Sequence, residues 1–244
     1  KSMGGTVRSL DELENRLAEM ANAQFGSLQY KKVLSLPLTR ERAQLYIIQR
    51  SYFHLNRRDC WAYVQAAAPF DIKQMIWDHE REELEGDKAR GIPDHFTLGM
   101  QEGGAVGLTP DDFAAASPLD GTMACCAAWV HLAKDRPWLE ALPVCAVTEI
   151  SNSDEICQDG GFARRMARKM TAELGIPLKK QPSNAEHVVL DVEHAHLLMR
   201  AARLHATTEQ DFQWILHGAA ESLLVERQFK GALGDAMAAL PDPA

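Results

Sequence analysis

A chain of 244 residues with 46% hydrophobic and 25% charged side chains is long enough to bury one sizeable core and has an ordinary globular composition. A net charge of −8, without a lysine or arginine cluster, argues against nucleic acid or an anionic membrane as partner. No apolar run approaches ~18 residues and no secretory pattern opens the chain, so neither a membrane span nor export is expected. The opening Lys1-Ser2-Met3-Gly4-Gly5 reads as a cloning remnant. Residues 1–8 are set aside as a disordered leader, and 9–240 as one domain. Cys60, Cys125, Cys126, Cys145 and Cys157 lack C-x-x-C spacing and sit inside helical patterns, as buried free thiols of a cytoplasmic protein do.

Taken in order, the chain is nearly all helix. Ser9-Leu10-Asp11-Glu12 is a capping-box-like start for a helix reaching about Phe25. Pro37 and Thr39 introduce a long helix from Arg40 to Ala67, stopped by Pro69. A third runs from about Asp71 to Glu85 and ends at Gly86, and a fourth starts near Asp94. Pro110 opens another after a GLTPDD turn. Pro118 to Gly121 breaks the pattern before an Ala/Cys-rich helix from Thr122 to Lys134. Pro137 and Pro143 punctuate the next segments, and Gly160-Gly161 ends a helix carrying Glu149. Phe162 to Leu174 is amphipathic and closed by Gly175, and a last helix spans about Thr208 to Lys230. No stretch alternates with period 2, and no repeat or linker interrupts the chain, so the expectation is one all-α domain.

The stretch between those last two, Glu186 to Arg203, carries the chemistry. At ~100° per residue His187, Asp191 and His194 lie within about 60° of one another, on the arc of Leu190, Leu198 and Ala201. Glu186, Glu193 and His196 point the other way, towards water. Two imidazoles and a carboxylate on an apolar stripe are costly to bury, and a metal ion satisfies all three at once. In the third helix, with Ile72 at zero, Ile76, His79 and Glu83 fall at about 40°, −20° and 20°. Of that acidic cluster Glu83 therefore faces inward, whereas Glu82 and Glu85 face out. Glu149 shares its arc with Leu142, Cys145, Ala146, Ser153 and Ile156, again a lone carboxylate among small or apolar residues. Each of these glutamates could instead pair with Arg50, Arg57 or Arg58 on the long second helix.

His187-x-x-x-Asp191-x-x-His194 late in an all-α chain, with Glu83, His95 in GIPDHF and Glu149 in VTEISNS before it, resembles the haem-oxygenase-like di-iron oxidases and oxygenases. The resemblance extends from about Leu38 to Leu224 and includes IPDHFTLGMQEGGAVGLTPDD. It implies a haem-oxygenase-like bundle of about seven helices. It also implies Glu83, His95, Glu149, His187, Asp191 and His194 as metal ligands and catalytic residues, with Glu82 and Glu85 as second choices for the first carboxylate. Pyrroloquinoline-quinone synthase, which uses no metal, shares the scaffold, the Trp77-Asp78-His79-Glu80 turn and the Asp191-Val192-Glu193-His194 string. Thiaminase-like relatives need a nucleophilic cysteine beside a glutamate; Cys145 lies one turn from Glu149, but its Ala/Pro surroundings suggest packing. A ferritin-like site wants Glu-x-x-His on two helices, and only Glu193-x-x-His196 fits.

Mixed carboxylate and imidazole ligands suit iron or manganese better than zinc. Unpaired Glu83 and Glu149 facing each other in a dry pocket would repel, and two metal ions neutralise them. By resemblance the cofactor is two Fe(II), with manganese an option, and O2 is the co-substrate. The expected substrate is a small metabolite, an amino acid or related amine or carboxylate, oxidised by N-oxygenation, desaturation or C–C or C–N cleavage. An electron donor and a homodimer belong to the same expectation. Tyr52, His54, Arg57 and Trp61 are candidates to line the substrate pocket. The rival readings are a metal-free quinone-synthase-like oxidase and a non-catalytic helical binding module.

Overall fold

The computed structural model describes residues 9–242, apart from the side chains of 187–193. Eleven α-helices succeed one another: α1 Leu10–Phe25, α2 Leu28–Ser35, α3 Arg40–Ala67, α4 Phe70–Glu85, α5 His95–Ala105, α6 Pro110–Ala115, α7 Asp120–Asp135, α8 Trp138–Asn152, α9 Phe162–Leu174, α10 Pro182–His205 and α11 Glu209–Ala238. A 3₁₀ turn, Leu178–Lys180, precedes α10. Among the described residues there is no strand, only an isolated bridge between Asp87 and Ile92. The all-α expectation holds, with more helices than the seven anticipated. Short α2 lies between Phe25 and Pro37, where no element is expected from the sequence, and Ser27 caps it by accepting from the Tyr30 amide.

Local chemistry explains most boundaries. Thr39, Asp94, Thr109 and Thr208 each accept the N3 amide of the helix they open, and Thr109 and Thr208 complete capping boxes with Asp112 and Asp211. Pro143 differs from expectation: it lies inside α8 and does not break it. The helix continues through it because α8 is buried on nearly every side from Leu139 to Ser151, packed by α11, α10, α7, α1 and α3. The main core gathers Leu13, Leu17, Trp61, Ile72, Ile76, Trp129, Leu142, Leu198, Ile215 and Phe229 around this helix. A second cluster, with Tyr30, Tyr46, Phe162, Met166, Met170 and Leu233, joins α2, α3, α9 and α11.

One turn positions the site. Gly86 closes α4 at φ 68°, and a Cβ there would lie 2.2 Å from the Ile92 carbonyl oxygen. Only glycine combines that backbone conformation with that approach. The chain turns back through the Asp87–Ile92 bridge, so α5 begins with His95 directly against Glu83.

Candidate metal centre

Four helices deliver a largely buried cluster of imidazoles and carboxylates. From α4 come His79, Glu80, Glu82 and Glu83, from α5 His95, from α8 Glu149, and from α10 His194. His95 Nδ1 lies 2.9 Å from Glu83 Oε1. His79 Nδ1 meets Glu80 Oε1 at 3.0 Å, and His194 Nε2 meets Glu82 Oε2 at 3.1 Å. The rings of His79 and His194 are 4.2 Å apart, and Trp61 backs His79 at 4.8 Å.

The inward-facing nitrogens behave differently. His79 Nε2 stands 3.8 Å from Glu149 Oε1, and His194 Nδ1 stands 3.8 Å from Glu83 Oε1 and 4.0 Å from Glu149 Oε2. These distances are too long for hydrogen bonds. His79 Nε2 and His194 Nδ1 are both buried with no hydrogen-bond partner among the described residues. Two ligand atoms each about 2.1 Å from one ion lie roughly 3–4 Å apart, depending on the angle between them. One ligand atom each from His79, Glu83 and His194 lies within 4.8 Å of the other two. The residues present therefore fit a metal ion, with the second nitrogen of each histidine already oriented by a glutamate.

The electrostatics are those of an ionised cluster. Burial alone would raise the Glu83 pKa, but Arg58, His95 and His79 hold it well below the usual carboxylate range. Glu149 is likewise lowered despite burial, by His79 and His194. Burial would depress His79, yet the carboxylates of Glu149 and Glu80 beside it bring it up to about 10. Arg58 Nη1 bridges Glu83 at 2.8 Å and Glu80 at 3.0 Å, so part of the negative charge is met by protein.

Of the residues expected from sequence, Glu83, His95, Glu149 and His194 come together; the side chains of His187 and Asp191 lie outside the described residues. Their backbone belongs to the unbroken α10, so the i, i+4, i+7 register with His194 is kept. His79 was absent from the expected set, although its position one turn before Glu83 on the same stripe was the signal. Glu82 departs from its outward reading: its side chain is 46% exposed, but it reaches back to His194. Glu85 is exposed and pairs with Lys88, as an outward residue should. Glu186 does not face water. It is buried and receives Arg90 Nη2 at 2.5 Å, because the loop after Gly86 folds over that side of α10.

Beside the cluster a cavity of about 50 Å³ is lined by α3, α8, α9 and α11, with Glu83 and Glu149 in its wall. His54 and Arg57 line it as anticipated, whereas Tyr52 is not among its lining residues and Trp61 is core. Arg50 pairs with Glu102 at 2.7 Å, and Arg57 donates to the Val144 carbonyl at 3.0 Å. Burial pushes the Cys145 thiol well above its ordinary pKa, which fits packing and not nucleophilic attack. A second acidic group, Glu140, His217 and Glu221, is already satisfied: His217 bonds Glu140 at 2.6 Å and Arg136 holds Glu221 at 2.8 Å.

Known proteins share this architecture. Residues 44–227 match the family described as iron-containing redox enzymes. Comparison with curated proteins finds no match. Among solved structures, the chain is similar to a domain of unknown function with a haem oxygenase-like fold from Shewanella denitrificans OS217, at 14% identity and TM-score 0.74, over 94% of each chain. A CADD-like protein of unknown function from Nostoc punctiforme PCC 73102 is similar at 17% identity and TM-score 0.68, over 93% of this chain and 97% of that one. A TenA homologue from P. horikoshii OT3 is similar at 14% and 0.58, over 92% and 97%. At these identities the structures speak for the fold, and the family match covers most of the sequence. This chain belongs to the iron-containing redox enzymes and carries the haem-oxygenase-like fold.

Proposed function

We propose that this chain is an O2-dependent, non-haem oxidase or oxygenase whose buried cluster holds two iron ions and which acts on a small metabolite, an amino acid or related amine or carboxylate. The observation that carries this reading is the pair of buried nitrogens, His79 Nε2 and His194 Nδ1, without hydrogen-bond partners among the described residues and facing carboxylates at 3.8–4.0 Å. Such atoms cost stability unless something unites them, and a cation does. Glu83, Glu149, His79, His95 and His194 would hold the ions, joined through the register of α10 by His187 and Asp191. When bound, the iron supplies electrons to O2, and manganese would suit the same donors.

The protein's own share can be stated residue by residue. Glu80 and Glu82 fix the outer nitrogens of His79 and His194, which sets the direction of the inner ones. Trp61, fully buried, packs tilted behind His79 and keeps water from that side. The cavity on the α3, α8 and α11 side, with Glu83 and Glu149 in its wall, would seat the substrate against the cluster.

A second reading has its own support. Arg58 already neutralises part of the Glu80–Glu83 charge, as a metal-free oxidase or a binding module would require. Anaerobic Fe(II) titration separates the two. The proposal expects saturation at about two Fe(II) per chain and a change in visible absorption when O2 is admitted. Glu83→Ala should abolish that change, Glu82→Ala should weaken iron binding about tenfold by releasing His194, and Glu85→Ala should leave it intact. Saturation below one ion, with no response to O2, would favour the metal-free reading.

A further inference from the structure

Lys230 lines the same cavity from α11, although it takes no part in the cluster. The residue is only 8% exposed. Its Nζ lies 3.8 Å from the centre of the Phe162 ring and 5.3 Å from that of Phe229. The carboxylate nearest to it, Glu226 Oε1, stands at 4.0 Å, beyond hydrogen-bond reach. Glu226 is engaged elsewhere, facing Ser151 Oγ at 3.5 Å and the Tyr30 hydroxyl.

The other cations of the cavity wall are committed. Arg50 Nη2 is held by Glu102 at 2.7 Å and Arg50 Nη1 by Asn184 at 3.1 Å. Arg57 gives Nη1 to the Val144 carbonyl, and Arg58 bridges Glu80 and Glu83. Lys230 is thus the lining cation whose donors have no hydrogen-bonded acceptor among the described residues, and an ammonium left so in a buried site is costly. Burial lowers its pKa to about 8 in spite of Glu226, so an anion beside it would be doubly favoured.

We propose that Lys230 anchors the carboxylate of the molecule that fills this cavity, so that the substrate is a carboxylic acid whose aromatic or alkyl body lies along Phe53, Phe162 and Phe229. A carboxylate satisfies the ammonium by charge-assisted hydrogen bonds, which a neutral carbonyl does less well and an amine not at all. The aromatic side chains supply the apolar walls that small-molecule pockets use for the rest of a ligand. The charged neighbours that act on Lys230 are Glu226 and Arg50, not the carboxylates of the cluster. Its anchoring role is therefore separable from metal binding. The inference rests on reading the cavity as the substrate chamber.

Calorimetric titration of the purified protein with phenylacetate, phenylacetamide and phenethylamine tests it. Phenylacetate should bind at least about tenfold more tightly than the amide, with the amine weakest. Lys230→Gln should remove that preference, Lys230→Arg should keep it, and Glu226→Gln should strengthen phenylacetate binding by removing a competing negative charge. Equal affinities for acid and amide, no binding of phenylacetate at millimolar concentration, or an unchanged preference in Lys230→Gln would overturn the assignment. Iron titration of Lys230→Gln should match the parent. If the parent itself takes up no iron while the acid preference stands, the metal reading fails and the anchor survives.

Discussion

Arg58 shows how one side chain can offset the charge of a buried carboxylate cluster. Its guanidinium contacts Glu80 and Glu83 from α3. Removing one partner of a buried pair leaves an uncompensated charge, at a cost of about 3–5 kcal/mol. Arg58→Met should therefore lower the melting temperature of the metal-free protein by roughly 10 °C for a chain of this size. Fe(II) should then narrow the gap to the parent, since a cation would take over the neutralisation of Glu83. Thermal melts of both proteins with and without Fe(II), under anaerobic conditions, read this directly. A gap that iron does not change would mean that Glu83 never meets a metal.

At the scale of elements, α10 is anchored unevenly. Its first turn is held where the Asn184 amide donates to Glu102 at 2.8 Å, and its later half buries Leu197, Leu198, Met199, Ala201 and Ala202. The candidate ligands lie between these two anchors, and a cation held by them would add a third point of attachment. Iron binding should accordingly slow amide exchange across residues 187–194 and around Glu83, and do little beyond Leu198. Equal protection with and without Fe(II) would show that the apolar face of α10 holds the helix by itself.

The whole molecule depends on how closely helices approach the central α8. Gly218 of α11 passes so near it that an added Cβ would lie 1.9 Å from the Glu140 carbonyl oxygen and 2.9 Å from Pro143. Backbone cannot yield there as a flexible side chain could. Gly218→Ala should thus separate α8 from α11 and destabilise the fold by about 3 kcal/mol, at the upper end of overpacking costs. Chemical denaturation should show a lower midpoint, while Gly175→Ala, with open space around its Cβ, should show only the smaller strain of a left-handed position. None of the described helices is long and apolar enough to cross a membrane.

Much of the helical framework is legible in local sequence. The period of the apolar residues, the Ser and Thr caps and the closing glycines set α1, α3, α4 and α9 to within a residue or so, because each signal acts over one or two turns. The same periodicity singles out Glu83 over Glu85, because a helix face is defined by angle alone. Tertiary structure decided what angle cannot report. Pro143 stays inside a helix because its surroundings are buried on nearly every side. Glu186 turns inward because the Asp87–Ile92 bridge brings Arg90 over it. His79 joins the cluster, and Arg58 rather than Arg50 or Arg57 becomes the partner of Glu83, through contacts between helices far apart in the chain. Faces belong to a single helix and its sequence; which faces meet is settled only when the helices pack.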